Sequence, residues 1–150
     1  MDQGVSFEAG FLHELDPDHP GWTRWGFRDP TRFTSLLGPL RMRVEGERVR
    51  LRASPERRHS NLGDHVHGGA MLGLIDVALF ATARGLGQLD GMAVTLDLST
   101  QFIAAAAVGR PLDAVGEVLR ATRRLIFIRG LVEQDGTVIA SFAGTVRKLA

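Results

Sequence analysis

The sequence predicts an α+β fold in which an antiparallel sheet of about six strands wraps one long apolar helix. Three observations carry this. Residues 69–85 read as a single helix that is apolar all round, so other elements must enclose it. Residues 40–52 and 92–149 contain runs in which apolar and polar side chains alternate with the period of a half-buried strand. Asp135-Gly136 joins two of those runs with a two-residue hairpin signal. One greasy helix and several one-sided strands are reconciled by a curved sheet rolled around the helix. Such a sheet keeps open edges, and edge-to-edge pairing of two copies removes one of them.

The elements follow in order. Residues 1–28 are loop-like, with two prolines and a glycine in "DPDHPGW". Trp22, Trp25 and Phe27 indicate that this segment packs on the body. "DPTRFTSLLG" suits a short helix, with Asp29 as cap, Pro30 in the first turn and Gly38 at the end. Leu40, Met42 and Val44 alternate with charged residues, as do Val49 and Leu51, and Glu45-Gly46-Glu47 lies between them; this is a hairpin with one wet face. "SPERRHSNLGDHV" is loop. After the long helix come four strand-like runs, "MAVTLDLSTQFI", "LDAVGEVLRAT", "RLIFIRGLVE" and "VIASFAGTVRKL", the first two separated by "AAAAVGRP". The chain of 150 residues suits one domain, with residues 1–38 as an N-terminal extension and 39–150 as the core.

Composition narrows the function. A net charge of +1 argues against a dedicated nucleic-acid binder. The N-terminus lacks a basic region followed by an apolar core, so no signal peptide is expected. The apolar run from Gly68 to Ala83 is short for a membrane span and carries Asp76. Cysteine is absent, which removes thiol nucleophiles, disulfides and zinc-thiolate sites and fits a cytoplasmic protein. No Gly-x-Ser-x-Gly elbow is present.

Asp76 is the one charge in that apolar run. A carboxylate held there needs a polar partner, and groups kept at that cost are often functional. Just before it, Gly68-Gly69 opens the helix, whose first amides lack internal partners and carry the positive end of the helix dipole. The same glycine pair also suits a tight loop-to-helix turn, and Asn61 upstream also suits an Asx turn.

Taken together, "Asn61…His67-Gly68-Gly69…Asp76" resembles the signature of hotdog-fold acyl-CoA thioesterases of the phenylacetate-pathway, PaaI-like, group. "VTLDLSTQFIAAAAVGRPL" resembles that group's strand after the helix, with Thr95 at the place of a Ser or Thr. "DGTVIASFAGTVR" is similar to its last hairpin. The resemblance spans roughly residues 36–147. Asp64 and His65 depart from it, standing where small or apolar residues are commoner. It implies a hotdog fold, a homodimer or dimer of dimers, and hydrolysis of an acyl-CoA thioester without metal, coenzyme A being part of the substrate. It also implies sites at the dimer interface that draw residues from both chains.

On this reading Asp76 is general base on a water or nucleophile on the thioester carbonyl; the sequence leaves both open. The Gly68 amide faces the developing oxyanion, with Gly69 allowing close approach of substrate. Asn61 and Thr95 hold the water, and His67 supports the loop. Arg57, Arg58, Arg123 and Arg124 are paired arginines suited to the phosphates of coenzyme A. Met71, on the apolar helix wall, is a candidate for the acyl pocket. His65-x-His67 alone lacks the downstream ligands of a metal site. The rival readings are a non-catalytic acyl-CoA binder and an enoyl-CoA hydratase or dehydratase on the same fold.

Overall fold

The long central helix sets the geometry, and the chain's other elements are arranged around it. The structure, a computed structural model, describes residues 7–150. After a single helical turn, α1 (Phe7–Gly10), come β1 (Phe11–Leu15), β2 (Thr23–Phe27), a 3-10 turn (Phe33–Leu37), β3 (Leu40–Glu45), β4 (Arg48–Ala53), and a second 3-10 turn (Arg57–His59). Then follow α2 (Gly68–Gly85), β5 (Ala93–Phe102), β6 (Leu112–Ala121), β7 (Leu125–Gln134) and β8 (Thr137–Lys148). His67 caps α2, its imidazole accepting from the Gly69 amide. The helix stops where Gly87 turns left-handed at φ +70° and Gln88 N–H reaches back to the Ala83 carbonyl.

The eight strands among the described residues form one antiparallel sheet in the order β1-β2-β3-β4-β6-β7-β8-β5. The strand that follows α2 is therefore carried to the edge farthest from the N-terminal strands. Leu74, Ile75, Ala78 and Leu79 of α2 are buried against Leu51, Leu112, Ile126, Ile128, Ile139 and Val146 of the sheet. Fully burying residues such as Ile75 and Leu79 contributes roughly 1.5–3 kcal/mol each. Sheet glycines let the helix come close: at Gly116 and Gly144 a Cβ would collide with Thr82 and Leu79 of α2. By length and composition α2 is apolar enough to cross a membrane, yet half of it is already buried inside this sheet. This is the wrapped-helix, hotdog arrangement, with eight strands among the described residues rather than about six.

The two extra strands correct the loop-like reading of residues 1–28, of which 1–6 lie outside the described residues. β1 and β2 pair from Phe11↔Phe27 to Leu15↔Thr23, and β2 joins β3 through Trp25↔Leu40. Turn residues dominate the local composition, but the intervening loop is held by charge and stacking. Buried Asp16 accepts from Arg41 and pairs with Arg24 and His19. Trp22 lies against the guanidinium groups of Arg43 and Arg52, 4.4 and 4.6 Å from its ring centroid. The expected short helix shrinks to the 3-10 turn at Phe33–Leu37, which does end at Gly38. Asp29 serves a separate turn before it, accepting from the backbone and hydroxyl of Thr31.

Candidate active site

α2 is not covered all round. Gly69 and Leu72 are exposed, and Gly73, Asp76, Phe80 and Arg84 are half-buried, which leaves one stripe of the helix open. Asp76 lies on it. Thr95, on the face of β5 turned to the helix, donates its hydroxyl to Asp76 Oδ1 at 2.6 Å. Partner and carboxylate are 19 residues apart in the chain, and only the return of the chain into β5 joins them. The pairing of β5 with β8 is irregular between Thr95 and Asp97. Thr95 faces inward, while the apolar Val94 and Leu96 are 41% and 54% exposed on an edge strand.

Asp76 opens into a cavity of about 420 Å³. The helix contributes Asp76, Val77, Phe80 and Arg84, and the two opposite edges of the sheet contribute Phe11 of β1 and Ala93 of β5. The sheet thus curls far enough that both edges reach the open stripe. Trp25 and Phe27 of β2 complete the wall beside Phe11, whose ring meets that of Trp25 edge-on at a centroid distance of 4.8 Å. Arg84 donates to the Gly91 carbonyl at 2.6 Å and lies 5.4 Å over the Phe11 ring. Burial lowers its pKa from the ordinary value, an effect that Asp90 partly offsets.

The second group of candidate residues lies at the N-terminal end of α2. Asn61 Oδ1 accepts from the backbone amides of Gly63 and His65, so its oxygen serves the loop as an Asx-type turn. Short bridges, Ser60 with Val66 and His65 with Ala107, hold that loop against the body. His67 Nδ1 accepts from Gly69, which occupies the Gly69 amide; among the described residues none accepts from the Gly68 amide. The Phe102 ring stands 3.4 Å from where a Gly68 Cβ would lie, so it borders that amide. Eight residues of helix separate Gly68 from Asp76, about 12 Å along the axis. A single substrate carbon cannot sit within hydrogen-bond range of both groups of the same chain.

The other candidates divide. Met71 is a correction: it is buried in the core and lines no part of the Asp76 cavity, because its position on α2 points under the sheet. Arg57 and Arg58 are exposed on the 3-10 turn before the Asn61 loop, Arg58 pairing with Glu56. Arg123 and Arg124 are exposed in the β6–β7 turn, beside Lys148 and so near the start of β5. The two arginine pairs thus flank the two separate halves of the site. His59 is spent on Leu36 and Glu56 backbone groups, and among the described residues no three His, Asp or Glu side chains converge on a metal position. The aromatic wall of Phe11, Trp25, Phe27 and Phe80, and Phe102 beside Gly68, are residues that sequence reasoning did not place in the site. The density of aromatic residues at 22–27 was the one available signal.

Comparison with known proteins agrees with this architecture. No curated protein matches the chain. Among solved structures, the TT0310 protein from Thermus thermophilus is 27% identical, with 82% of this chain and all of that one covered at a TM-score of 0.68. A mutant of the phenylacetic acid degradation protein PaaI from the same organism is 25% identical, covering 81% of this chain and all of its own at 0.67. The smu.793 protein from Streptococcus mutans UA159, solved bound to acetyl CoA, shares the fold at 20% identity, with 75% of this chain and 90% of that one covered at 0.66. The model of the thioesterase superfamily matches residues 63–141, which hold α2 with its opening glycine pair and Asp76. With more than half its length matched, the chain belongs to the thioesterase superfamily.

Proposed function

We propose that the protein hydrolyses acyl-CoA thioesters at a site shared by two copies of the chain. The observation that carries this is the separation on α2: the Asp76–Thr95 pair faces a cavity, while the open Gly68 amide lies about 12 Å away along the same helix. Two copies paired antiparallel through their β5 edges bring the Asp76 of one toward the Gly68 of the other. The exposed Val94 and Leu96 and the outer edge of β5, which pairs with no strand among the described residues, favour that contact. Family membership and the acetyl-CoA-bound S. mutans relative support the substrate class.

In the mechanism, Thr95 holds one carboxylate oxygen of Asp76 and leaves the other to take a proton from water. The lone pairs of the Thr95 hydroxyl accept a second hydrogen bond from that water. Its oxygen attacks the thioester carbonyl carbon, and the Gly68 amide of the second copy, at the positive end of α2, faces the resulting oxyanion. As the tetrahedral intermediate collapses the C–S bond breaks, and the proton held by Asp76 passes to the departing sulfur. The products are the free acid and coenzyme A. We assign base rather than nucleophile to Asp76 because the Thr95 hydroxyl that holds Oδ1 can also accept from a water, which puts the water rather than the carboxylate next to the thioester carbon. Arg123 and Arg124, or Arg57 and Arg58, receive the phosphates of coenzyme A. Asn61 and His67 hold the loop that presents Gly68. The homodimer, its doubling to a tetramer and a cytoplasmic location belong to the same proposal.

The test is a thiol-release screen over short, medium, long and aryl acyl-CoAs, with Asp76→Ala as blank. Release by the wild type and not by the variant is expected. Thermal stabilisation by acyl-CoA with no thiol released from any of them would overturn the hydrolase in favour of a binding protein.

A further inference from the structure

The family match begins at residue 63, so the β1–β2 hairpin lies before it. Yet the hairpin builds one wall of the cavity into which Asp76 opens. Phe11, Trp25 and Phe27 form an edge-to-face cluster there, with Phe80 of α2 across from them. Four aromatic rings give this chamber an apolar body, and about 420 Å³ falls within the range typical of small-molecule pockets, roughly 300–1,000 Å³. Its cations are already engaged: Arg32 pairs with Asp29, and Arg84 donates to the Gly91 carbonyl. The chamber therefore does not call for a charged end on its occupant.

We propose that the N-terminal hairpin is the acyl selector of this protein, and that the chamber takes a bulky apolar acyl group in preference to acetyl. This rests on the reading of Asp76 as the hydrolytic centre. The thioester carbon must lie beside Asp76, so the acyl group extends from it into the space the hairpin closes. Phe27 and Thr34 determine how much of that space is available. Phe27 is 42% exposed, so its truncation removes wall without opening the core. Thr34, half-buried on the segment after β2, borders the same space, and a large side chain there fills it.

The experiment compares kcat/KM for octanoyl-, benzoyl-, succinyl- and acetyl-CoA in the wild type, Phe27→Ala and Thr34→Trp, each checked for an unchanged melting temperature. The wild type is expected to favour octanoyl- or benzoyl-CoA over acetyl-CoA; the better of the two tells whether the chamber suits a chain or a ring. In each variant the ratio of that substrate to acetyl-CoA is expected to fall by roughly tenfold or more, the scale on which apolar pocket contacts discriminate. A wild-type preference for acetyl- or succinyl-CoA, or ratios unmoved in both variants, overturns the selector. If the wild type releases no thiol from any substrate, the hydrolase reading falls while the selector is still decided by affinity. In that case octanoyl-CoA or benzoyl-CoA must bind more tightly than acetyl-CoA in the wild type and lose that advantage in Thr34→Trp; equal affinities sink it.

Discussion

The two ends of the candidate site are built differently. At the start of α2, residues 61–69 are joined by bonds between near neighbours: Asn61 to Gly63 and His65, and His67 to Gly69. At mid-helix, Asp76 depends on Thr95 from a distant strand and on a cavity closed by the N-terminal hairpin. The first end is a local turn that presents a backbone amide. The second is a tertiary assembly that gives a carboxylate a partner and a chamber. A local motif can be written in nine consecutive residues, whereas a chamber requires a sheet of the right curvature. Substitutions at the two ends should therefore fail in different ways.

The largest effect is expected at the tertiary end. Asp76→Asn keeps the side chain's shape and its bond with Thr95 but removes the proposed base, and kcat should fall by about 10²–10⁴ with the proposed dimer intact by size-exclusion chromatography. At the local end the group to delete is a backbone N–H. Gly68 is the first helical residue, a position that tolerates proline, and His67 already has the extended backbone (φ −62°, ψ 137°) that a following proline requires. Gly68→Pro should thus fold and lose about 10²–10³ in kcat. A melting temperature near wild type with full turnover would remove that amide from the mechanism.

The two variants together show whether the ends cooperate across subunits. In the proposed dimer, a hybrid of Asp76→Asn and Gly68→Pro chains has one shared site with both lesions and one with neither. Unfolding and refolding the mixture should therefore recover about a quarter of wild-type activity, because half the random dimers are hybrid and each keeps one intact site. A mixture as inactive as its parents would mean that each site is built from a single chain.

Smaller effects are expected at Thr95 and at Asp16. Thr95→Val keeps the β-branched shape and removes the hydroxyl, and kcat/KM should fall roughly ten- to a hundredfold, since hydrogen bonds to a charged group contribute roughly 1.5–3 kcal/mol. The smallest change concerns the hairpin's anchor. The Arg41 hydrogen bond, chiefly, holds the Asp16 carboxyl below its ordinary 3.8, at about 2, against an opposing effect of burial. A folded-state pKa lowered in this way stabilises the fold fully above about pH 4, and that stability is lost as pH falls through 2. The wild type should lose tryptophan-reported stability across that window more steeply than Asp16→Asn. Parallel pH profiles would show that Asp16 does not pin the loop.

Much of the core was legible. Residues 69–85 were apolar on every face, and the helix is Gly68–Gly85; the alternation in 40–52 and 92–149 emerged as β3, β4, β5, β6, β7 and β8. The hairpin was not legible, because β1 and β2 are short and flank a loop rich in proline, aspartate and glycine. What holds that loop, Asp16 with Arg41 and Trp22 with Arg43 and Arg52, joins residues that local periodicity does not connect. In the site, Asn61, His67, Gly68 and Asp76 stood out as a spaced pattern. Met71 looked equally placed on the helix, yet it faces the core, and Phe80 faces the chamber instead.

The amino-acid sequence alone was enough for the elements whose signal is local: the period of the strands from β3 onward, the start and stop of the long helix, and the loop that leads into Gly68. Three features came only with the folded arrangement: which stripe of α2 stays open, the inward turn of Thr95 rather than Leu96 on β5, and the closing of both sheet edges on Asp76. The physical reason is that periodicity states that a face is buried but not against what. Sheet curvature, strand order and the pinning of one distant loop fix the partner, and each depends on contacts among residues far apart in the chain.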